Sequence, residues 1–155
     1  MRFRTLCFAA AMLCAFGLAG GARAAGPKAL ITALYSEPNL TFGAAKSAGY
    51  FAHDLDVSLK GGRGDSNEVG SFDFDYRYGA QALDISGLQL LEEIDNDQAK
   101  VVAVFKNFGR PESVDWVLCR RADGTWRIAD ASSNTDKYPW DLRDMLKLDA
   151  DRVRC

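Results

Sequence analysis

From Pro27 to Lys60 the apolar residues recur at helical intervals, and from Ile85 to Ala131 they fall into strand-length runs separated by tight turns. Leu30, Ile31, Leu34 and Tyr35 share one face of a helix that Pro27 suits at its first turn and Pro38 ends. Ala44, Ala48, Phe51, Leu55 and Leu59 mark a second helix, with Lys46, Asp54 and Lys60 available to solvent and Gly61-Gly62 as its stop. Residues 61–71 combine four glycines with polar residues and no periodicity, as a surface loop does. In the next stretch Phe72, Phe74, Tyr76 and Tyr78 alternate with Asp73, Asp75 and Arg77, a composition suited to a pocket rim or a sheet edge.

Strands are expected at 88–94, 99–108, 113–121 and 125–131, joined by turns at Asp95-Asn96-Asp97, Gly109-Arg110-Pro111 and Asp123-Gly124. Connections this short require antiparallel neighbours. The fold class is therefore α+β: helices packed on one face of a curved antiparallel sheet of about four strands, with a short closing helix over 140–146. Period two puts Val114, Trp116 and Leu118 on one side of the third strand and Trp126, Ile128 and Asp130 on one side of the fourth, facing the helices. Asp115, Val117, Cys119, Arg121, Arg127 and Ala129 then face outward.

Composition changes this picture at the N-terminus. Arg2 and Arg4, an apolar run over 6–18 and Ala22-Arg23-Ala24 read as a secretory signal peptide over 1–24, followed by a single domain over 25–155. The apolar run is broken by Gly17, Gly20 and Gly21 and is shorter than the ~20 residues of a membrane span. Ala11-Met12-Leu13 before Cys14 is a poor lipoprotein box, so a soluble periplasmic or secreted protein is expected, without membrane insertion after cleavage. Loss of the leader leaves 16 Lys and Arg against 21 Asp and Glu, a net charge of −5 that argues against nucleic acid and anionic lipid as partners. The two cysteines that remain, Cys119 and Cys155, are expected to form a disulfide in an oxidising compartment. Arg63-Gly64-Asp65 and Asn39-Leu40-Thr41 match short motifs by letter only.

The two helices, the aromatic-acidic connector, the four strands and the segment DGTWRIAD together resemble the nuclear-transport-factor-2-like superfamily of cystatin-like cones, over most of 28–146. More narrowly, FDFDYRYGAQALDISGL, ADGTWRIADAS and WDLRDML resemble an uncharacterised bacterial envelope family, the domain of unknown function 3828. Family members often carry Ala-Gln-Asp where this chain has Ala80-Gln81-Ala82 and delays its acid to Asp84. The resemblance implies a cone whose mouth can hold a small ligand, and a homodimer through the outer sheet face is common among such folds. Asp75, Tyr76, Tyr78, Gln81, Asp84, Trp116, Trp126 and Asp130 are the candidate binding residues.

Some relatives are isomerases or dehydratases, which use a carboxylate or histidine as base and a tyrosine or protonated acid as donor. Asp130, His53 and Tyr78, with Tyr76 beside it, are the candidates here. Each also has a structural reading: Asp130 as a turn acceptor, His53 as an exposed helix residue, the tyrosines as cover and the tryptophans as core. One histidine and two distant cysteines make no zinc site, Asp73 and Asp75 lack the remaining ligands of a calcium loop, and no nucleophile elbow or nucleotide fingerprint is present. No cofactor is expected. The leading expectation is a non-catalytic periplasmic module that binds an envelope protein or a small ligand. The alternatives are an isomerase or dehydratase-like enzyme, and an immunity-type inhibitor of an exported toxin.

Overall fold

A computed structural model describes residues 25–38, 49–61, 74–133, 139–149 and 152–155. The leader, the Asn39 motif, Lys46 with Ala44 and Ala48 of the second helix, the loop with Arg63-Gly64-Asp65, and Phe72 and Asp73 lie outside the described residues. Within them the order is α1 (Pro27–Ser36), α2 (His53–Gly61), β1 (Ile85–Asp95), β2 (Gln98–Asn107), β3 (Arg110–Arg120), β4 (Trp126–Ser133), β5 (Trp140–Asp141) and α3 (Leu142–Met145). The strands form one open antiparallel sheet in sequence order. The α+β class holds, with five strands rather than about four.

Pro27 opens α1 as its spacing predicts, and Ile31 and Leu34 are fully buried, with Leu30 and Tyr35 packed beside them. Its Gly26 N-cap has no side chain to offer, so Glu92 of β1 supplies the acceptor: the Lys28 N–H donates to Glu92 Oε1 at 2.6 Å. The second helix begins later than the periodicity predicts. Phe51 forms a parallel bridge to Ile128, the Ala52 N–H donates to Ile128 O and the Ile128 N–H to Tyr50 O, both at 2.7 Å. Those bonds hold residues 50–52 extended along β4, and the helix starts only at His53. Leu55 and Leu59 still enter the core.

The turn between β2 and β3 also falls earlier than expected, at Phe108-Gly109, where φ is 49° and 75°. Two left-handed residues match the twist of a two-residue hairpin. Arg110 and Pro111 thus belong to β3. Pro111 is tolerated because β4 pairs with β3 only between Asp115 and Arg120, so among the described residues this part of β3 has no second strand neighbour. At Asp123-Gly124 the expected turn is present: Gly124 has φ 81°, and Asp123 Oδ1 accepts from the Thr125 N–H at 2.9 Å and hydroxyl at 2.5 Å.

The core lies between α1, α2 and one face of the sheet. Val101, Ala103 and Phe105 from β2, Val114, Trp116 and Leu118 from β3, and Trp126, Ile128 and Ala131 from β4 are buried there. Inward placement of Trp116 and Trp126 agrees with period two. Between β3 and β4 the alternation breaks once: Leu118 pairs with Ile128 but Val117 pairs with Asp130, which leaves Ala129 as an extra residue in β4. Asp130 therefore lies on the outer side with Val117, contrary to the expectation that it faces the helices with Trp126 and Ile128. A single bulge flips every later side chain of the strand, and Ala129, expected outside, is buried.

Beyond the bulge β4 changes partner. Residues 50–52 flank it at Ile128, and β5 flanks it at Ser132 and Ser133. The first two residues expected in a closing helix are this short strand, and Asp141 then caps α3 by accepting from the Asp144 N–H at 3.0 Å. Cys119 on the outer side of β3 is bonded to Cys155, with Cα atoms 5.9 Å apart. None of the described helices is long and apolar enough to cross a membrane.

Candidate functional site

Two groups of polar and aromatic side chains are built on this frame. The first is the connector over 74–80. Asp75 and Ala80 bridge, with the Asp75 N–H donating to Ala80 O at 2.9 Å, so the expected extended run is a compact turn. Asp75 Oδ1 accepts from the Arg77 N–H and from Nε, both at 3.0 Å, while Oδ2 accepts from Nη2 at 2.6 Å. This fork-to-carboxylate contact holds the Arg77 guanidinium charge and raises its pKa, against the opposing effect of burial. Arg77 Nη1 also donates to Glu37 O at the end of α1, at 2.6 Å.

Around this ion pair the rings interlock. The Tyr35 hydroxyl donates to Arg77 O at 2.5 Å and accepts from Trp116 Nε1 at 3.3 Å, so β3, α1 and the connector share one hydrogen-bonded chain. Tyr78 meets Tyr35 and Phe105 edge-on, with centroids 5.3 and 5.4 Å apart, and Arg77 lies over its face at 5.6 Å. Tyr76 is buried against Phe51 and Trp116 rather than capping the surface. Burial raises the pKa of all three tyrosines. At Gly79, φ is 63° and an added Cβ would stand 2.7 Å from Trp140 Nε1. Only glycine lets β5 press its tryptophan onto the connector, where Trp140 also meets Phe74.

The second group surrounds the β4 bulge. Asp130 Oδ1 accepts from the Ala131 N–H at 2.8 Å and the Arg143 N–H at 3.2 Å. Asp141 of β5 lies close by, since it pairs with Ser132, two residues on from Asp130. Partial burial raises the Asp130 pKa to about 6, the Asp141 charge adds to the rise, and the two backbone N–H donors oppose it. Next to the pair, the Arg143 side chain is nearly fully buried. Its Nη1 donates to Ala129 O at 3.2 Å, and its Nη2 donates to Asp54 Oδ2 at 2.8 Å and Asp149 O at 2.6 Å. Arg143 thus satisfies the carbonyl of the bulged residue and ties α3 to α2. Asp54, expected on the solvent side, is its ion-pair partner.

These placements separate the candidate catalytic groups. Tyr76 is in the core on the inner face, Tyr78 is at the connector, and Asp130 is on the outer side at the β4 edge. His53 is exposed at the start of α2, and its backbone N–H donates to Arg154 O at 2.9 Å. Trp116 is fully buried, and Trp126 is nearly so under the Arg120 guanidinium. Gln81 and Asp84 are exposed after the connector, where Asn107 Oδ1 accepts from the Asp84 N–H. Asp75 is joined to Tyr78 through Arg77, whereas Asp130 meets neither. Among the described residues no three His, Cys, Asp or Glu side chains are grouped as a metal site needs.

Sequence reasoning missed Arg143, Asp54, Asp141 and Tyr35. Asp141 carries a readable signal, since Asp followed three residues later by Asp144 resembles a helix cap. Nothing local marks Arg143 as buried, because its partners come from α2, the bulge and the segment after α3. No family model matches the chain, and no curated protein or solved structure matches it either.

Proposed function

We propose that the chain is an exported, non-catalytic interaction module that binds an extended, basic segment of an envelope protein along β1. The observation that carries this is the edge itself. β1 lies at the end of the sheet, with β2 its only strand neighbour among the described residues, and Leu91 and Ile94 on it are 58% and 53% exposed. An unpaired strand edge presents backbone donors and acceptors to an incoming strand. Glu92, Glu93, Asp95 and Asp97 cluster at its far end, and the mature chain carries a net charge of −5, so a partner rich in lysine and arginine complements it. The bulge between Ser86 and Gln89 confines the regular edge to residues 89–95.

Export is supported by the signal-like leader and by the disulfide. The nuclear-transport-factor-2-like cone, and the resemblance to the domain of unknown function 3828, are supported by α1 and α2 packing on one face of an antiparallel sheet. The isomerase or dehydratase reading is weakened because its base, Asp130, lies on the outer side with Val117, whereas its candidate donors, Tyr76 and Tyr78, pack on the inner-face rings of Trp116 and Phe105. In the inhibitor reading the acidic connector would insert into a basic site, but Asp75 is already engaged by Arg77.

Photo-crosslinking of the mature chain in envelope extracts tests the proposal. A crosslinker at Leu91 is expected to give a discrete adduct, and one at the comparably exposed Val57 of α2 is not. Glu93→Lys is expected to weaken capture at least about tenfold. Equal labelling from both positions, no labelling from Leu91, or undiminished binding by Glu93→Lys would overturn it.

A further inference from the structure

Residues 152–155 are neither helix nor strand. One hydrogen bond and one covalent bond join them to α2 and β3: the His53 N–H donates to Arg154 O at 2.9 Å, and Cys155 is bonded to Cys119. His53 is the first residue of α2, so Arg154 O takes a backbone donor that the helix itself leaves open. Both sulfur-bearing residues are half-exposed, which leaves their bond within reach of solvent.

The two sulfurs have different surroundings. Cys119 is fixed in the sheet between Gln98 of β2 and Arg127 of β4, its register partners. Residues opposed in this way have Cβ atoms about 5 Å apart on one face, so Arg127 and the Cys119 sulfur share the outer side. Arg127 is half-buried, and its Nη1 is anchored on Trp126 O at 2.7 Å. Among the described residues it is paired with no carboxylate, and Asp123 of the adjoining turn meets Arg121 instead. Cys155 lies outside the sheet, and the Arg154 that precedes it is exposed, where water and salt screen its charge. A thiol attacks one sulfur of a disulfide while the other departs, and the sulfur whose thiolate is better stabilised departs faster. A neighbouring cation supplies that stabilisation.

We propose that the Cys119–Cys155 bond is a thiol-exchange site at which an external thiol becomes bonded to Cys155 while Cys119 leaves as a thiolate beside Arg127, freeing residues 152–155 and the start of α2 with the sheet intact.

The incoming thiolate forms its S–S bond to Cys155 as the Cys119–Cys155 bond breaks, and the bonding pair stays on Cys119, which takes a proton from water. A second thiol of the same reductant then attacks the reductant's own sulfur in the mixed disulfide and displaces Cys155 as a thiolate. The reductant departs as a disulfide, and the chain has gained two electrons and two protons. A dithiol is therefore the class of partner. The site is separated from β1 by β2 and is independent of what β1 binds.

Brief exposure of the oxidised mature chain to 2-mercaptoethanol without denaturant, quenched with excess N-ethylmaleimide and read by peptide mass spectrometry, tests the site. The mercaptoethanol adduct is expected on Cys155, with Cys119 alkylated, in about tenfold excess over the reverse product. Arg127→Gln should slow adduct formation about fivefold and even out the two products, whereas Arg127→Lys, which keeps the charge, should retain the wild-type pattern. Full reduction by dithiothreitol should speed exchange of the His53 amide at least about tenfold and leave the Val101 amide of β2 protected. Adduct mainly on Cys119, equal products in the wild-type chain, or an unaltered rate and ratio in Arg127→Gln would overturn the site. So would adduct formation no faster than global unfolding, timed by exchange of the Val101 amide, since the bond would then react only in the unfolded chain.

Discussion

The connector and the β4 bulge both join distant parts of the chain, yet they do so by different physics. At the connector, rings from α1, β2, β3 and the turn at 75–80 close over one another, and the polar atoms among them form a linked set from Trp116 through Tyr35 to Arg77 and Asp75. Its stability resides in buried apolar area, with hydrogen bonds fixing direction. At the bulge, a nearly buried arginine and three aspartates join α2, β4, β5 and α3. Its buried arginine depends on keeping its Asp54 partner. A region of the first kind degrades by volume lost. A region of the second kind degrades by a charge left alone.

Trp116→Ala is the most damaging test of the first region. The ring is fully buried, packs on Tyr35 and Tyr76, and donates to the Tyr35 hydroxyl. Truncation is expected to lower stability by about 3–5 kcal/mol, read as a fall in the denaturant midpoint. A loss below about 1 kcal/mol would mean that the inner face is not close-packed.

Between the regions stands the disulfide, which fastens the last residue of the chain to the outer side of β3 and encloses 36 residues of sequence separation, including the bulge and α3. Loop-closure entropy gives it about 3–4 kcal/mol. Replacing both cysteines by serine should cost about that much and should raise amide exchange in α3 and the His53 N–H more than in β2. A uniform rise across the sheet would remove the distinction between the two regions.

The connector's neighbourhood was largely legible in the sequence because apolar periodicity reports burial directly. Leu30, Ile31, Leu34 and Tyr35 at helical spacing, and Val114, Trp116 and Leu118 at strand spacing, each face where the pattern puts them. Cys119 on the outer side follows from the same alternation. The alternation is valid only while the register is constant, and nothing in Trp126 to Ala131 announces that Ala129 is inserted. The bulge arises from tertiary pairing with residues 50–52 and β5, which local pattern does not contain. Asp130 was placed on the wrong side, and Arg143 passed for the polar face of a short helix. The start of α2 was misjudged for a related reason: Phe51 fits a helical stripe, but its neighbours' backbone bonds to Ile128 outcompete the helix.

The Asp54 and Arg143 pair sharpens the comparison at the smallest scale. The guanidinium side chain is 3% exposed and the Asp54 side chain 13%, so the two are not equivalent. Asp54→Ala leaves a buried cation with two carbonyl acceptors and no counter-charge, at an expected cost of about 3 kcal/mol. Arg143→Met removes the cation and fills similar volume, but it leaves Ala129 O and Asp149 O without this donor and Asp54 free to turn toward water. Each single change therefore removes the pair and something else, and only the double variant isolates the pair itself. The coupling from such a cycle is expected to be at least about 1 kcal/mol, measured by denaturant midpoints at pH 7. Additive losses would mean that Arg143 acts through its carbonyl acceptors, Ala129 O and Asp149 O, and that the bulge region is held by hydrogen bonds to backbone rather than by charge.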